Sequence, residues 1–526
     1  MSITVFSQTF TSSNLPIIIL NTGGVTIVDE PKVDISIGII DNAPALNNVN
    51  DPWNGYNGIV GIEFRGNSTQ GFDKKTYSLE LHTNAGIDTN ASLLGMPKEE
   101  DWILHAMVID KTQLRIPMSF YLSQRMGHYA PRYRFVEVVL DGDYRGIYIL
   151  CEKLKRDKNR IGIAKLDFDD LAGDSLSGGY ILRIDWVEDT LGFESDYNSQ
   201  GNQLMFFQWY YPKALKIKTQ QVNYIENWMA DFEEAVFSPT YYNGAGMRYN
   251  EYIDVTSFAD FLLINDFSKN ADGYKLSTYI HKDKDSKGGL LTAGPVWDFD
   301  QTYGMSEVCS DADFTGWTYL QNQSGCVDLE SMPMWWQAFM SDTVFTNHLA
   351  CRWNTLRQGP FHVDTLNAWI DNQRSYIQAG IDRNFVKWQF LGVSIWAEPS
   401  PIPQTNQEEI DYMKGWIANR LTWLDANMPG NCANDIIGST EPDQAKLIEM
   451  NIWPNPMQSE AVLAFDNPNG VMHTMKVYDV TGREVQEAQE VTGQRIVIQR
   501  MGLLPGVYLV RLSSYSGEGV LKLIVR

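Results

Sequence analysis

The chain has 526 residues, 44% of them hydrophobic and 12% aromatic, so two or more domains with substantial cores are expected and wholesale disorder is excluded. Its 65 Asp and Glu outweigh 42 Lys and Arg, for a net charge of −23. That balance, with no basic run, excludes nucleic acid and anionic membrane surfaces as natural partners.

Residues 1–60 alternate apolar runs with Asn, Gly and Pro turns and read as strands, a β-rich segment assigned to 1–59. No segment approaches a membrane span, and the first residues lack a basic and apolar leader, so no signal peptide is expected in the chain as given. Residues 61–82 read as two strands around a polar glycine turn, Arg65-Gly66-Asn67-Ser68-Thr69, with Lys74 and Lys75 on the return. Helical spacing at Leu114, Met118, Tyr121, Leu122 and Met126 predicts a helix over 110–127, with Asp110 as N-cap and Gly127 as C-cap. Residues 134–154 read as a hairpin, with Asp-Gly-Asp-Tyr-Arg-Gly at 141–146 between its strands.

Strands are expected at 178–186 and 205–218, helices at 219–236 and 256–269, and a second hairpin at 276–282 and 289–297. From 333 to 428 the pattern is helical and rich in Trp, most simply core packing. A linker at 431–443 separates the 60–430 domain from alternating strands at 444–526, the pattern of a small antiparallel β-sandwich. The fold class is therefore α+β. No CxxC occurs; Cys309 and Cys326 flank one loop as a candidate disulfide, and Cys151 reads as a buried thiol.

Three segments carry candidate chemistry. The glycine turn frees backbone N–H groups for phosphate oxygens, and a lysine on the returning strand can reach the same phosphates. Alternation puts Lys75 on the side of Tyr77, Leu79 and Leu81; the plain alternative is a polar hairpin with two solvated lysines. Asp272, between a helix and a hairpin, suits a carboxylate that orients an acceptor hydroxyl, with Ser277, Asn270 or Asn265 as the metal-oxygen donor. The plain alternative is an Asn-Ala-Asp-Gly turn. Asp298 and Asp300 end an apolar strand two residues apart, on one side of it, as a divalent-cation pair would. The order of these parts repeats that of a protein kinase. There is no HExxH, GxSxG, GxGxxG or Walker A motif, while paired glycosidase carboxylates remain an alternative.

At these residues the chain resembles the CotH kinase-like family, from about Val60 to Leu424. The motifs are Phe64-Arg-Gly-Asn-Ser-Thr, Lys74-Lys-Thr-Tyr, Asp101-Trp-Ile-Leu with Asp110 and Arg115, Gly142-Asp-Tyr-Arg-Gly-Ile-Tyr-Ile-Leu-Cys-Glu-Lys, Asn270-Ala-Asp-Gly-Tyr-Lys-Leu-Ser-Thr-Tyr and Gly294-Pro-Val-Trp-Asp-Phe-Asp. The resemblance implies an atypical, bilobal protein-kinase-like domain that uses ATP with Mg2+ or Mn2+ to phosphorylate Ser or Thr of secreted or surface proteins. It implies nucleotide phosphates on Lys75 or Lys74, with Arg65, Asn67 and Ser68 in the loop, and Glu152 paired with the lysine or the metal. It further implies Asp272 as the catalytic aspartate and Asp298, with Asp300 and Ser277, at the metal. Ser277 stands where ordinary kinases carry a metal-binding Asn, which leaves a non-catalytic pseudokinase that serves as a surface binding or adhesion module as the alternative. The last ~80 residues resemble a type IX secretion sorting domain at Trp453-Pro-Asn-Pro, Val477-Tyr-Asp-Val-Thr-Gly-Arg, Gly506-Val-Tyr-Leu-Val-Arg and Lys522. That implies export by the type IX machinery, attachment at the cell surface, and a signal peptide removed from the N-terminus.

Overall fold

The computed structural model describes residues 10–187, 191–198, 204–324, 332–437, 448, 450–465, 467, 473–479, 484–491, 493–514 and 517–526. Helices and strands both contribute heavily, so the class is α+β. The chain divides into two compact units, Met1–Asn434 and Asp435–Arg526.

Unit 1 begins with a closed barrel. Its strands are β1 (Ile17–Asn21), β2 (Val33–Ile40), β3 (Tyr56–Arg65), β4 (Thr76–His82), β5 (Asp101–His105), β6 (Tyr133–Leu140) and β7 (Asp143–Glu152), in the order β1-β2-β3-β4-β5-β7-β6. Every pairing is antiparallel except the closing one, where β1 runs parallel to β6 with Ile17 opposite Glu137. Residues 10–59 thus supply barrel strands and belong to the same unit as the strands after them. Alternate side chains fill the interior: Ile35, Ile37 and Ile39; Val60 and Ile62; Tyr77, Leu79 and Leu81. The β6–β7 turn is Asp141-Gly142, with φ of +49° and +79°, the pair of left-handed residues that a two-residue hairpin needs.

Helix α1 spans Arg115–Arg125, starting five residues later than the sequence suggests. Asp110 does not cap it. Its carboxylate, fully buried, accepts from the N–H of Thr112 (2.9 Å) and of Arg115 (2.8 Å) and from Arg115 Nη1 (2.6 Å). A buried guanidinium needs that charge more than a helix end does.

The second sheet holds β8 (Tyr180–Ile184), β9 (Gly192–Asn198), β10 (Leu204–Tyr211), β11 (Thr278–Lys282) and β12 (Leu291–Ala293), ordered β9-β10-β8-β11-β12. On it pack α2 (Thr219–Phe237) and α3 (Val255–Ser268); α4 (Trp335–Ser341) and α5 (Thr343–Arg357) pack on those helices, α6 (Val363–Lys387) packs on barrel strand β7, and α7 (Asn406–Asn427) packs on α3 and α6. All of α3 but Thr256 is buried, so its apolar character runs all round the helix. Trp335, Trp336 and Phe339 pack on Phe232, Phe258 and Phe261, which makes the Trp-rich region core. A disulfide that the sequence did not suggest joins Cys351 on α5 to Cys432. Cys309 is also disulfide-bonded; Cys326, its expected partner, lies outside the described residues. Cys151 is a buried thiol whose pKa burial pushes up to about 12.

Glu233 on α2 is buried, and its hydrogen-bond partners among the described residues are the neutral Ser195 Oγ (2.6 Å) and Trp335 Nε1 (2.8 Å), with the Asp196 charge nearby. Burial pushes its pKa up to about 7. A carboxyl with a raised folded pKa stabilises fully below its ordinary range near 4.5 and loses that contribution as pH climbs through about 7. Unfolding free energy of unit 1 should therefore fall by up to about 3 kcal/mol between pH 5 and 8 from this group. Denaturant titrations of Glu233→Gln at both pH values should show that slope flattened; an unchanged slope would place the proton elsewhere.

Unit 2 contains two antiparallel sheets. One is β13 (Met450–Trp453), β14 (Glu460–Phe465) and β17 (Arg495–Gln499); the other is β15 (His473–Asp479), β16 (Glu484–Val491), β18 (Gly506–Ser514) and β19 (Gly517–Val525), ordered β16-β15-β18-β19. Ala461, Leu463, Ile496 and Ile498 of the first share a core with Met475, Val477, Val510 and Leu523 of the second. The sequence did not suggest β13 or β16; β16 reads Glu-Val-Gln-Glu-Ala-Gln-Glu-Val, low in β-formers. The linker residues 438–443 lie outside the described residues.

Candidate active site

Strand β3 ends at Arg65, and Gly66 turns the chain with φ +106°. A Cβ there would stand 2.4 Å from Thr69 Oγ1, and left-handed backbone favours glycine. Gly66→Ala is expected to cost roughly 1–2 kcal/mol, read from thermal melts, by disturbing this turn. Asn67 and Ser68 sit exposed on it, at the start of a 3-10 turn, Ser68–Gly71. The Arg65 guanidinium lies 5.7 Å from the Trp297 ring centroid, with no carboxylate bonded to it among the described residues.

Trp297 leads into Asp298, whose backbone is left-handed at φ +63°. Facing it is the loop after α3, where Lys269, Tyr274 and Ser277 are left-handed at +45°, +71° and +46°. Each such residue costs ~1–2 kcal/mol and persists only where surroundings hold it. Here the Tyr274 hydroxyl donates to Asp266 Oδ2 (2.5 Å) and to the Leu262 carbonyl (3.1 Å), while Ser277 Oγ donates to Asp298 Oδ2 (3.3 Å). Gln301 Nε2 donates to Asp272 Oδ2 (3.2 Å), and Gln301 Oε1 accepts from Trp396 Nε1 (2.7 Å), so Asp272 is held at a set angle. The amides of Asn265 and Asn270 are spent inside the loop, on Phe261 O, on each other and on the Asp272 N–H.

Asp298 and Asp300 both have raised carboxyl pKa values. Burial is the first cause for each; for Asp300 the charges of Asp298, Asp272 and Asp110 follow. Asp300 is 5% exposed and has no cationic partner among the described residues. Asp185, just past β8, adds its charge against Asp298, while Arg65 opposes it. The oxygens of Asp272, Asp298 and Asp300 do not all fall within 4.8 Å of one another, so they form a loose acidic group rather than a closed ligand cage.

Asp272, Ser277, Asp298, Asp300 and Arg65 are thus brought together; the lysines and Glu152 are not. Lys74 is buried and donates to Ala106 O (2.7 Å) and Ile147 O (2.8 Å), its pKa lowered to about 7 by burial. Lys75 turns back on its own loop, donating to Gln70 O (2.5 Å). Glu152, also buried, accepts from Arg132 Nε (3.0 Å) and Nη2 (2.7 Å), the Arg132 N–H (3.0 Å) and Tyr129 Oη (3.2 Å). It stands five strand residues beyond Ile147, roughly 16 Å along β7. The expected Lys75–Glu152 pair does not form. Sequence reasoning missed Asp185 and Gln301; an acidic residue at the end of β8 was the available signal for the first.

A family model described as CotH kinase protein matches residues 62–424, well over half of the chain. A second, described as secretion system C-terminal sorting domain, matches residues 451–526 and implies contact with the type IX machinery and a secreted or cell-surface destination. No curated protein matches. No described helix is long and apolar enough to cross a membrane. The chain belongs to the CotH kinase protein family and ends in a secretion-system sorting domain.

Proposed function

We propose that unit 1 is a bilobal, kinase-like phosphotransferase that moves the γ-phosphoryl group of ATP onto a Ser or Thr hydroxyl of a secreted or surface protein. The observation that carries this reading is the buried Asp300 carboxylate, which feels the charges of Asp298, Asp272 and Asp110 and has no ion-pair partner among the described residues. Arg115 pairs with Asp110 and Arg65 acts on Asp298, but Asp300 itself has no cationic partner among the described residues, and a carboxylate held out of water beside other acids favours a bound cation. The donors are hard oxygens, Asp298, Asp300 and Ser277 Oγ, which suit Mg2+ or Mn2+. When bound, such an ion neutralises phosphate oxygens and orients them. Asp272, angled by Gln301, orients the acceptor hydroxyl and takes its proton at the carboxylate. Arg65, propped on Trp297, brings positive charge for the phosphates in place of Lys74 and Lys75.

One observation favours the alternative, a non-catalytic binding or adhesion module: Lys74 and Glu152 are engaged elsewhere and form no lysine–glutamate pair. Incubation with γ-32P-ATP, Mn2+ and co-secreted proteins separates the two. Asp272→Asn should lower transfer ~10²–10⁴-fold while leaving nucleotide-induced stabilisation intact. A nucleotide shift in the wild type with no transfer to any protein would favour the binding module.

Unit 2, with two sheets on one core, supports a reading as an antiparallel β-sandwich tag. Under it the protein is exported by the type IX machinery and attached at the outer surface.

A further inference from the structure

A cavity of about 170 Å3 lies among the end of α1, residues 160–162, α3 and the segment following β12. None of Asp272, Asp298 and Asp300 lines it, but two histidines do, His128 and His281. Each has one ring nitrogen committed to an acceptor. His128 Nε2 lies 2.7 Å from Asp260 Oδ2, and His281 Nδ1 lies 3.2 Å from the Gly294 carbonyl.

Those acceptors fix the tautomers. Asp260 is 1% exposed and already neutralised by Arg352, whose Nε (2.7 Å) and Nη2 (2.8 Å) both donate to it. His128 therefore does not need a positive charge to keep its bond; a neutral ring with the proton on Nε2 suffices. A carbonyl only accepts, so His281 carries its proton on Nδ1. Burial holds His281 neutral, lowering its pKa to about 4. Both rings thus keep a lone pair, on His128 Nδ1 and His281 Nε2, and neither nitrogen has a partner among the described residues. Both rings line the same cavity of about 170 Å3.

A histidine whose ring N–H is pinned by a carboxylate or a backbone carbonyl is the usual form of a metal ligand, because the pin sets both tautomer and ring direction. Paired imidazole nitrogens select zinc, copper or nickel over magnesium and manganese. We propose that His128 and His281 bind a divalent transition-metal ion of the Zn2+ or Cu2+ class in this cavity, through Nδ1 and Nε2 respectively. The site is separate from the acidic group of Asp298, and its oxygen positions fall to water or to the hydroxyls of Ser123 and Thr292, which also line the cavity.

Cu2+ titrated into tag-free full-length protein tests the assignment. The background is His82→Ala, which removes the surface group of Glu80, His82 and Asp88 as a competing site. Electron paramagnetic resonance should show superhyperfine splitting from two imidazole nitrogens. His128→Gln and His281→Gln should each weaken binding at least about tenfold, a ligand mattering no less than its second-shell partner. Excess Mg2+ should not displace the copper. Unchanged affinity in both variants, or a spectrum with fewer than two nitrogens, overturns the site. If either variant fails to fold, the spectrum of the background protein decides alone.

Discussion

Replacing Asp298 with alanine is expected to lower phosphoryl transfer by ~10³-fold or more, because a divalent ion at such a centre contributes several kcal/mol of charge stabilisation. Loss of activity alone would not distinguish a metal ligand from a structural residue, so the sharper variant is Asp300→Asn. Asp300 is buried against Asp298, Asp272 and Asp110, and that repulsion opposes folding when no cation is present. The amide removes it. Metal-free Asp300→Asn should therefore melt at a higher temperature than the metal-free wild type, yet lose the response to metal and nucleotide. In the wild type, ligand at 100 times its Kd adds ~2.7 kcal/mol of stability. Scanning calorimetry with EDTA, then with Mn2+ and ATP, reads both arms. A variant less stable than wild type in EDTA would mean that Asp300 is held by bonds rather than strained by charge. A wild type indifferent to Mn2+ and ATP would remove the phosphotransfer reading.

The parts of this site that were legible in the sequence are those set by local pattern. Apolar alternation placed β3, β4, β6 and β7, and their ends delivered Arg65 to one side of the site. Asp298 and Asp300 were legible as two acids behind an apolar run, but the strand expected to end at them stops at Ala293, and Asp298 sits in a left-handed turn instead. The lysines were misread because the period-two pattern of Tyr77, Leu79 and Leu81 does not extend back to Lys75: β4 begins at Thr76. Lys74 is instead held by two carbonyls far from it in the chain, those of Ala106, just past β5, and Ile147 in β7. Glu152 was given to a distant lysine although Arg132 stands one hairpin away, and Tyr133 pairs with Cys151. The closing β1–β6 pairing and the Cys351–Cys432 bridge, 81 residues apart, depend on tertiary arrangement that no local pattern encodes.

Arg420→Met is expected to destabilise unit 1 by about 3–5 kcal/mol, the usual cost of removing one partner from a buried ion pair. Arg420 on α7 is 0% exposed. Its Nε donates to the Asp266 carbonyl (3.0 Å), and its Nη1 donates to the carbonyls of Phe314 (2.9 Å) and Gly316 (2.7 Å). Its Nη2 stands 3.8 Å from the Asp266 carboxylate. One guanidinium thus ties α7, the end of α3 and the 314–316 segment together. Asp266 passes the constraint on: it accepts the Tyr274 hydroxyl and the Thr318 N–H (2.6 Å), and Tyr274 is a left-handed residue in the loop that carries Asp272. Methionine fills the volume but leaves Asp266 charged and unneutralised in the core, with three carbonyls short of donors. The double variant Arg420→Met, Asp266→Asn should therefore recover part of the loss, a coupling that a simple packing defect would not give. Urea titrations of the four proteins in this cycle measure it. Transfer activity should fall in Arg420→Met even where the protein is fully folded, although Arg420 touches no substrate, because the geometry of Asp272 depends on the Tyr274 anchor. Additive losses across the cycle, or full activity in the single variant, would show that the loop holds its left-handed residues without this network.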